Sequence, residues 1–176
     1  EVRIKQQYFL AAASLKDIVR RYKSSNPDIY SIGDKVVIHL TDSKCAIAVI
    51  EMVRILTAEE GVSFSDSLKI IKKLFIFSSH ALNYDDLETW PLYLLEEVLP
   101  LHATIIYEIN HYILDSIRSQ SGLTDDEAKE ISLIEEGSVK KIRLAHVASM
   151  FSHYVTGASE FQVKILKNDL FSGFAK

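Results

Sequence analysis

Apolar residues recur along this chain at two spacings, which predict a structure that alternates helices with strands. Over residues 3–23 apolar side chains recur every three or four positions, which predicts an amphipathic helix. Residues 35–40 (K-V-V-I-H-L) are short, β-branched and mostly apolar, which is typical of a buried strand. Strands that alternate with helices pair in parallel, so the pattern indicates an α/β fold.

Capping residues and breakers divide the rest of the chain. Asp42 or Ser43 can cap a helix over roughly residues 45–60, which Gly61 ends, and Ser65 can cap the next helix. Pro91 suits the first turn of a short helix. The remaining segments are predicted as follows: a loop over 24–33, a short strand or helix end over 75–82, helices over 100–119, 125–131, 137–152 and 160–167, and a turn or short strand over 155–158.

Two or three strands are few for so many helices, because most sheets contain more strands. We therefore predict that residues 1–176 form a single partial domain with a small parallel sheet. We expect that sheet to be completed by segments that this chain does not contain.

Composition and charge argue against several classes of function. The 176 residues are 48% hydrophobic and carry a formal net charge of −4, so a basic face for nucleic acid is not expected. No apolar run reaches the roughly 18 residues that a membrane span requires. Cys45 is the single cysteine and cannot form an internal disulfide, which favours a reducing, cytoplasmic compartment.

The side chains that could take part in catalysis or bind a metal form no complete motif of either kind. There is no phosphate-binding glycine loop and no G-x-S-x-G sequence. The histidines lack metal-ligand spacing, and we interpret them as hydrogen-bonded structural residues. They are His39, His80, His102, His111, His146 and His153.

Short sequence strings that occur in a fixed order are a far more specific sign of a protein family than the periodicity of apolar residues. The strings are R-I-K-Q-Q-Y-F at 3–9, K-V-V-I-H-L-T-D at 35–42, L-E-T-W-P at 87–91, L-P-L-H-A-T-I-I-Y-E-I-N at 99–110 and S-L-I-E-E-G at 132–137. Together they resemble the α-glucan (glycogen/starch) phosphorylase family, specifically the later half of its N-terminal, glucan-binding domain.

This resemblance implies a helix-rich portion of a GT-B, Rossmann-like domain whose active site lies in a cleft between two domains. The family releases glucose 1-phosphate from α-1,4-glucan or maltooligosaccharide by phosphorolysis, and it uses pyridoxal phosphate. The cofactor lysine lies in the other domain, so no cofactor is expected on this chain alone. The implied partner is the remainder of a phosphorylase polypeptide or another subunit.

The resemblance assigns three residues of this chain to the sugar cleft of the family. Asp42 is kept where the family reads N-D-T-H-P, although Lys44 replaces the histidine. His80 is kept where the family reads T-N-H-T. Thr156 replaces a sugar-binding asparagine, and threonine offers one hydroxyl where asparagine offers an acceptor and two donors. A lost partner in a buried sugar contact costs about 1–3 kcal/mol.

Three further residues, Asn110, Glu136 and Lys140, match positions of a surface glucan-storage site in muscle-type members of the family. They can also be explained as a helix cap and ordinary surface charges.

The altered cleft loops leave two interpretations of activity. The chain belongs either to a divergent, inactive phosphorylase that keeps its fold, which we favour, or to an active one with altered sugar contacts. We predict that the chain alone is inactive. The alternative functions are a non-catalytic glucan-binding module and a protein-interaction remnant.

Overall fold

The computed structural model describes residues 1–121 and 124–174, except the side chains of residues 120 and 121. Its helices are α1 (Val2–Ser25), α2 (Ile32–Lys35), α3 (Ile47–Arg54), α4 (Phe64–Leu74), α5 (Leu92–Val98), α6 (Pro100–Ser121), α7 (Asp125–Ile131), α8 (Leu144–Met150) and α9 (Glu160–Ile165). Its strands are β1 (Ile38–Leu40), β2 (Phe75–Ser78), β3 (Thr89–Pro91), β4 (Ile134–Glu135), β5 (Lys141–Arg143) and β6 (Ser152–Thr156).

Strands β1, β2 and β6 form the small parallel sheet that the sequence predicts, in the order β1-β2-β6. The helix-rich α/β fold class is therefore confirmed. The pairing of β2 with β6 is irregular, because Phe75 lies opposite Ser152 whereas Phe77 lies opposite Val155. Helices in the described part of the chain are all too short or too polar to cross a membrane.

A second sheet of three short antiparallel strands, in the order β3-β5-β4, was not predicted. The predicted helix over residues 137–152 is wrong in its first part, since β5 occupies residues 141–143 and α8 begins only at Leu144. The central residue of β5, Ile142, is fully buried and lies opposite both Trp90 and Ile134. Tertiary pairing therefore decides the conformation of this segment.

Most helix boundaries agree with the capping signals. The side chain of Asp42 accepts a hydrogen bond from the backbone N–H of Lys44 and caps the turn that leads into α3. Gly61 has a φ of 69°, in the left-handed region that favours glycine, just after the helical segment ends. The cap of α4 is Ser63 rather than Ser65, because Ser63 Oγ reaches the free backbone N–H of Asp66 at 3.2 Å.

Helix α3 is the centre of the core and contains a fully buried carboxylate. Glu51 is 0% exposed and lies among the apolar residues that connect α3 with α1, α6 and α8. Its Oε2 lies 2.7 Å from His102 Nε2 on α6, and Arg54 donates to both of its oxygens at 2.8 and 2.9 Å. Arg54 also donates to Glu59 at 2.7 Å, and Tyr8 of α1 packs edge-on against His102.

The ion pair keeps this carboxylate charged. Burial raises the pKa of Glu51, but the hydrogen bonds from Arg54 and His102 outweigh burial and lower the pKa below its usual value. The same bonds to Glu51 raise the pKa of Arg54. Each partner therefore depends on the others remaining in place.

One face of the parallel sheet lies open. Leu40 and Phe77 point into the core, whereas His39 and Thr156 are exposed and Ser78 is only half-buried. Parallel sheets are normally covered on both faces. The expectation that further segments complete this sheet stays a prediction, and the open face is consistent with it.

The segment at residues 166–174 folds back over α8 and covers His146. The ring of His146 is 8% exposed and lies edge-on to Phe171 and Phe174, with ring centroids 5.9 and 5.2 Å away. Burial lowers the pKa of His146 to about 4, with a smaller contribution from Arg143. The imidazole is therefore neutral near pH 7.

We predict that Arg54→Met lowers the free energy of unfolding by about 3 kcal/mol, because it leaves the Glu51 carboxylate buried without its cation. Urea denaturation measures the change. The matched control is Arg20→Met, which removes an exposed pair with Asp17 and should cost no more than about 1 kcal/mol. Equal losses in the two variants would contradict the prediction.

We also predict that stability falls as the pH is lowered from 6.5 towards about 4. Unfolded His146 takes up a proton near its ordinary pKa of 6.5, whereas the folded protein resists protonation until about pH 4. The contribution of neutral His146 to the free energy of unfolding is fully present above pH 6.5. Its loss at lower pH amounts to about 3 kcal/mol in total.

Urea denaturation at several pH values measures this dependence. The variant His146→Phe should lack the part of the pH dependence that is due to His146. Comparison with the parent protein therefore separates this part from the titration of carboxylates. His153→Gln, at an exposed histidine, should retain it. A His146→Phe variant with the full pH dependence of the parent protein would show that another group is responsible.

Candidate functional site

A depression of about 290 Å³ lies at the carboxyl ends of β1 and β2. Ligands of open parallel sheets bind at this end of the strands. Its polar lining consists of Asp42, Ser43, Ser79, His80 and Asp86, and its apolar lining consists of Phe77, Ala81, Leu87 and Ala145. The structure therefore brings together two of the three predicted cleft residues, Asp42 and His80.

Asp42 is held by its own loop. Its Oδ1 accepts hydrogen bonds from the backbone N–H of Lys44 at 3.0 Å and from Ser43 Oγ at 3.3 Å. Lys44 Nζ lies 3.6 Å from Asp42 Oδ2 and 3.6 Å from Glu88 Oε2. Glu88 accepts a further bond from Trp90 Nε1 at 2.8 Å. Lys44, which replaces the family histidine, is therefore drawn into a local charge network.

His80 is exposed, and the residues on either side of it are buried and hydrogen-bonded. The backbone N–H of Ser79 donates to the carbonyl of Thr156 at 3.0 Å. Gln162 Nε2 donates to the carbonyl of Ala81 at 3.2 Å, and Gln162 Oε1 accepts from Ala158 N at 2.6 Å. These bonds fix the backbone that presents the imidazole of His80.

Thr156 lies outside the lining of the depression. Its Oγ1 is 2.8 Å from Ser78 Oγ, and Ser78 Oγ is 2.7 Å from His39 Nε2. Three strands thus contribute one hydrogen-bonded row on the open face of the sheet. The hydroxyl of Thr156 already has a partner in this arrangement, so a sugar contact at this residue would compete with Ser78.

The predicted surface-site residues have partners within the protein. Asn110 Oδ1 accepts from the backbone N–H of Leu133 at 2.8 Å and from Ser132 Oγ at 3.3 Å. Lys140 Nζ lies 3.2 Å from Glu136 Oε1, and both side chains are exposed. Asn110 thus fastens α6 to the segment before β4, whereas the other two residues remain accessible to a ligand.

A family model for carbohydrate phosphorylase matches residues 1–176 of the chain. The chain belongs to this phosphorylase family. It is 35% identical to glycogen phosphorylase of Haemophilus influenzae over 176 residues, which is 100% of this chain and 21% of the relative. It is 36% identical to glycogen phosphorylase of Chlamydia pneumoniae, over 99% of this chain and 21% of the relative. The muscle form from Ovis aries is 36% identical, over 99% of this chain and 22% of the relative.

This phosphorylase-family chain therefore spans about a fifth of the length of these curated relatives. Family membership confirms the resemblance read from the ordered strings. The roles predicted for individual residues stay predictions.

The sequence analysis assigned no part in the site to two contributors to this end of the sheet. Ser78 joins His39 to Thr156, and Asp86 lines the depression beside His80. The sequence does contain a pattern that indicates the position of Asp86, because Asn83 and Asp86 have the spacing of a capping box and form one around a short turn. Ser78 had none, because its hydroxyl partners lie 39 and 78 positions away. Within the described residues, no group of three or more potential ligands suits a metal ion.

We predict that Asn110→Ala lowers the free energy of unfolding by about 2 kcal/mol, because it leaves the buried backbone N–H of Leu133 without an acceptor. Thermal and urea unfolding measure the loss. Asn110→Asp keeps an acceptor and should lose less, and Lys140→Ala should be nearly neutral. If Asn110→Ala is as stable as Lys140→Ala, the structural role assigned to Asn110 is wrong.

Proposed function

We propose that this chain forms the glucan-contacting part of the N-terminal domain of an α-glucan phosphorylase. The observation that carries the proposal is the convergence of Asp42 and His80 on one depression at the carboxyl ends of the parallel strands. The whole protein would transfer a glucosyl unit from the end of an α-1,4-glucan to phosphate, releasing glucose 1-phosphate.

The side chains present suit binding and orientation of a sugar. The carboxylate of Asp42 accepts hydrogen bonds from sugar hydroxyls, and the imidazole of His80 can donate or accept one. The apolar floor formed by Phe77 and Ala145 excludes water beneath the ligand. These groups orient a glucosyl unit, and the phosphate attack is assigned to the domain across the cleft.

Pyridoxal phosphate is proposed for the whole protein and not for this chain. In the family its phosphate group supplies the proton relay of the reaction. The lining of the depression contains two carboxylates, Asp42 and Asp86, and no lysine or arginine. Such a lining does not fit a phosphate dianion, which requires cationic or N–H donors. We therefore assign the cofactor to the remainder of the polypeptide.

We further propose that the chain alone is inactive and that its parent protein is a divergent phosphorylase with weakened catalysis. Lys44 engages Glu88 and Asp42, and Thr156 is bonded to Ser78, so two altered positions have acquired partners within the protein. Loss of several sugar contacts weakens transition-state binding cumulatively.

A non-catalytic glucan-binding surface is the second candidate. Tyr107 is 39% exposed on α6, and its pKa is raised by partial burial, by its hydrogen bond to Glu96 and by the charge of nearby Glu136. An accessible aromatic ring beside the Glu136–Lys140 pair provides an apolar face and polar groups together. Retention on glycogen that is weakened by Lys140→Ala would support this role.

The remainder of a phosphorylase polypeptide, or another subunit, is the proposed partner for the open face of the sheet. That partner would cover His39, Ser78 and Thr156 and close the cleft above His80. A cytoplasmic location is proposed from the single cysteine, since Cys45 has no internal partner for a disulfide.

We predict that the purified 176-residue chain releases no glucose 1-phosphate from glycogen and phosphate. We also predict that maltoheptaose binds the chain weakly and perturbs the amide signals of Asp42 and His80 in NMR titrations. Asp42→Asn and His80→Ala should each weaken this binding about tenfold, because each removes one polar contact.

The matched control is Asp126→Asn, an exposed carboxylate on α7 outside the depression, which should leave the binding unchanged. Release of glucose 1-phosphate by the chain alone would refute the predicted inactivity. Binding that is insensitive to both cleft substitutions, but weakened by Lys140→Ala, would favour the surface site instead.

A further inference from the structure

One lysine lies between two carboxylates beside the depression, and only one of these carboxylates lines it. Lys44 Nζ is 3.6 Å from Oδ2 of Asp42 and 3.6 Å from Oε2 of Glu88. Asp42 belongs to the lining of the depression, whereas Lys44 and Glu88 do not. A single ammonium group is thus shared between a predicted sugar-binding carboxylate and a carboxylate outside the proposed site.

The two oxygens of Asp42 are unequally engaged. Oδ1 accepts hydrogen bonds from the backbone N–H of Lys44 at 3.0 Å and from Ser43 Oγ at 3.3 Å. Among the described residues, Oδ2 has only the Lys44 ammonium as a partner, at a distance longer than a charge-assisted hydrogen bond. The side chain of Asp42 is 47% exposed. Oδ2 is therefore the oxygen that is available to accept a hydrogen bond from a sugar hydroxyl.

Glu88 is the better anchored of the two carboxylates. Its side chain is 19% exposed, and its Oε1 accepts a hydrogen bond from Trp90 Nε1 at 2.8 Å. Solvent screens an ion pair less where the carboxylate is less exposed, so Glu88 attracts the ammonium of Lys44 more strongly than Asp42 does. Arg3 Nη2 also lies 3.6 Å from Glu88, but its exposed side chain compensates this charge only weakly.

We propose that Glu88 is a positioning residue for the glucan site, because it holds the ammonium of Lys44 and thereby leaves Oδ2 of Asp42 free for a sugar hydroxyl. This role rests on the glucan site proposed above. A lysine is charged at neutral pH, whereas a histidine is mostly uncharged there. The lysine that replaces the histidine of the family pattern therefore introduces a cation that competes with the sugar unless a second carboxylate holds it.

A variant without the charge of Glu88 tests this competition in the absence of sugar. Glu88→Gln keeps an acceptor for Trp90 Nε1 but no longer attracts the ammonium. The distance from Lys44 Nζ to Asp42 Oδ2 should then shorten from 3.6 Å to about 2.8 Å, the length of a charge-assisted hydrogen bond. A crystal structure of the variant measures this distance.

Maltoheptaose measures the consequence for sugar binding, with the amide signals of Asp42 and His80 followed in NMR titrations. Glu88→Gln should weaken the affinity about fivefold, because Lys44 then occupies Oδ2. In a Lys44→Met background the same substitution should change the affinity by less than about twofold, because no ammonium remains to occupy Oδ2. A merely structural role of Glu88 would weaken binding equally in both backgrounds.

The matched control is Glu60→Gln. Glu60 is another weakly exposed carboxylate that pairs with a lysine, since it lies 2.6 Å from Lys23, and it does not line the depression. Its substitution should leave the affinity for maltoheptaose unchanged. The Nε1–H resonance of Trp90, the single tryptophan, reports in each variant whether the structure around position 88 is preserved.

Three results would overturn the proposal. They are a distance of 3.6 Å or more between Lys44 and Asp42 in Glu88→Gln, an unchanged affinity of this variant, and an equal loss of affinity with and without Lys44. Failure of the glucan site itself gives a different result, because the parent chain would then not bind maltoheptaose or its binding would be insensitive to Asp42→Asn. That result would refute the role of Glu88 as well, even where the distance shortens.

Discussion

The buried carboxylate of Glu51 is the constraint on which the rest of this structure depends. It sits at the centre of α3, where it needs both Arg54 on its own helix and His102 on α6 to remain charged. Tyr8 packs on the other side of His102 and brings α1 into the same arrangement. The positions of these three helices are therefore specified by hydrogen-bond geometry as well as by apolar packing.

The Glu51 arrangement also positions the candidate site, because the two are neighbours along the chain. The loop of Asp42 runs directly into α3, so the helix that is fixed by Glu51 also fixes the carboxylate at the carboxyl end of β1. On the other side of the depression, Gln162 and Thr156 bind the backbone around His80. The framework holds both predicted cleft residues firmly, while one face of the sheet stays open.

The parts of the fold that the sequence predicts are those with local causes. The long helix α6 follows from its periodicity and from Pro100, and β1 follows from a short β-branched run. Strand β5 was missed because Ile142 is held by partners on two other strands. Asp42 and His80 were identified through family strings, whereas the bond between Ser78 and Thr156 joins residues 78 positions apart and leaves no local pattern.

The irregular register of β6 has a consequence for how this protein can vary. Between Phe75 and Phe77 there is one residue on β2, but two residues separate Ser152 from Val155 on β6. Beyond this additional residue, Thr156 lies opposite Ser78 and shares its side of the sheet. A shorter β6 would keep this arrangement. Loss of either His153 or Tyr154 would convert the bulge into regular pairing, with Val155 still opposite Phe77 and Thr156 still opposite Ser78, so the strand can lose its surplus residue without displacing the hydroxyl.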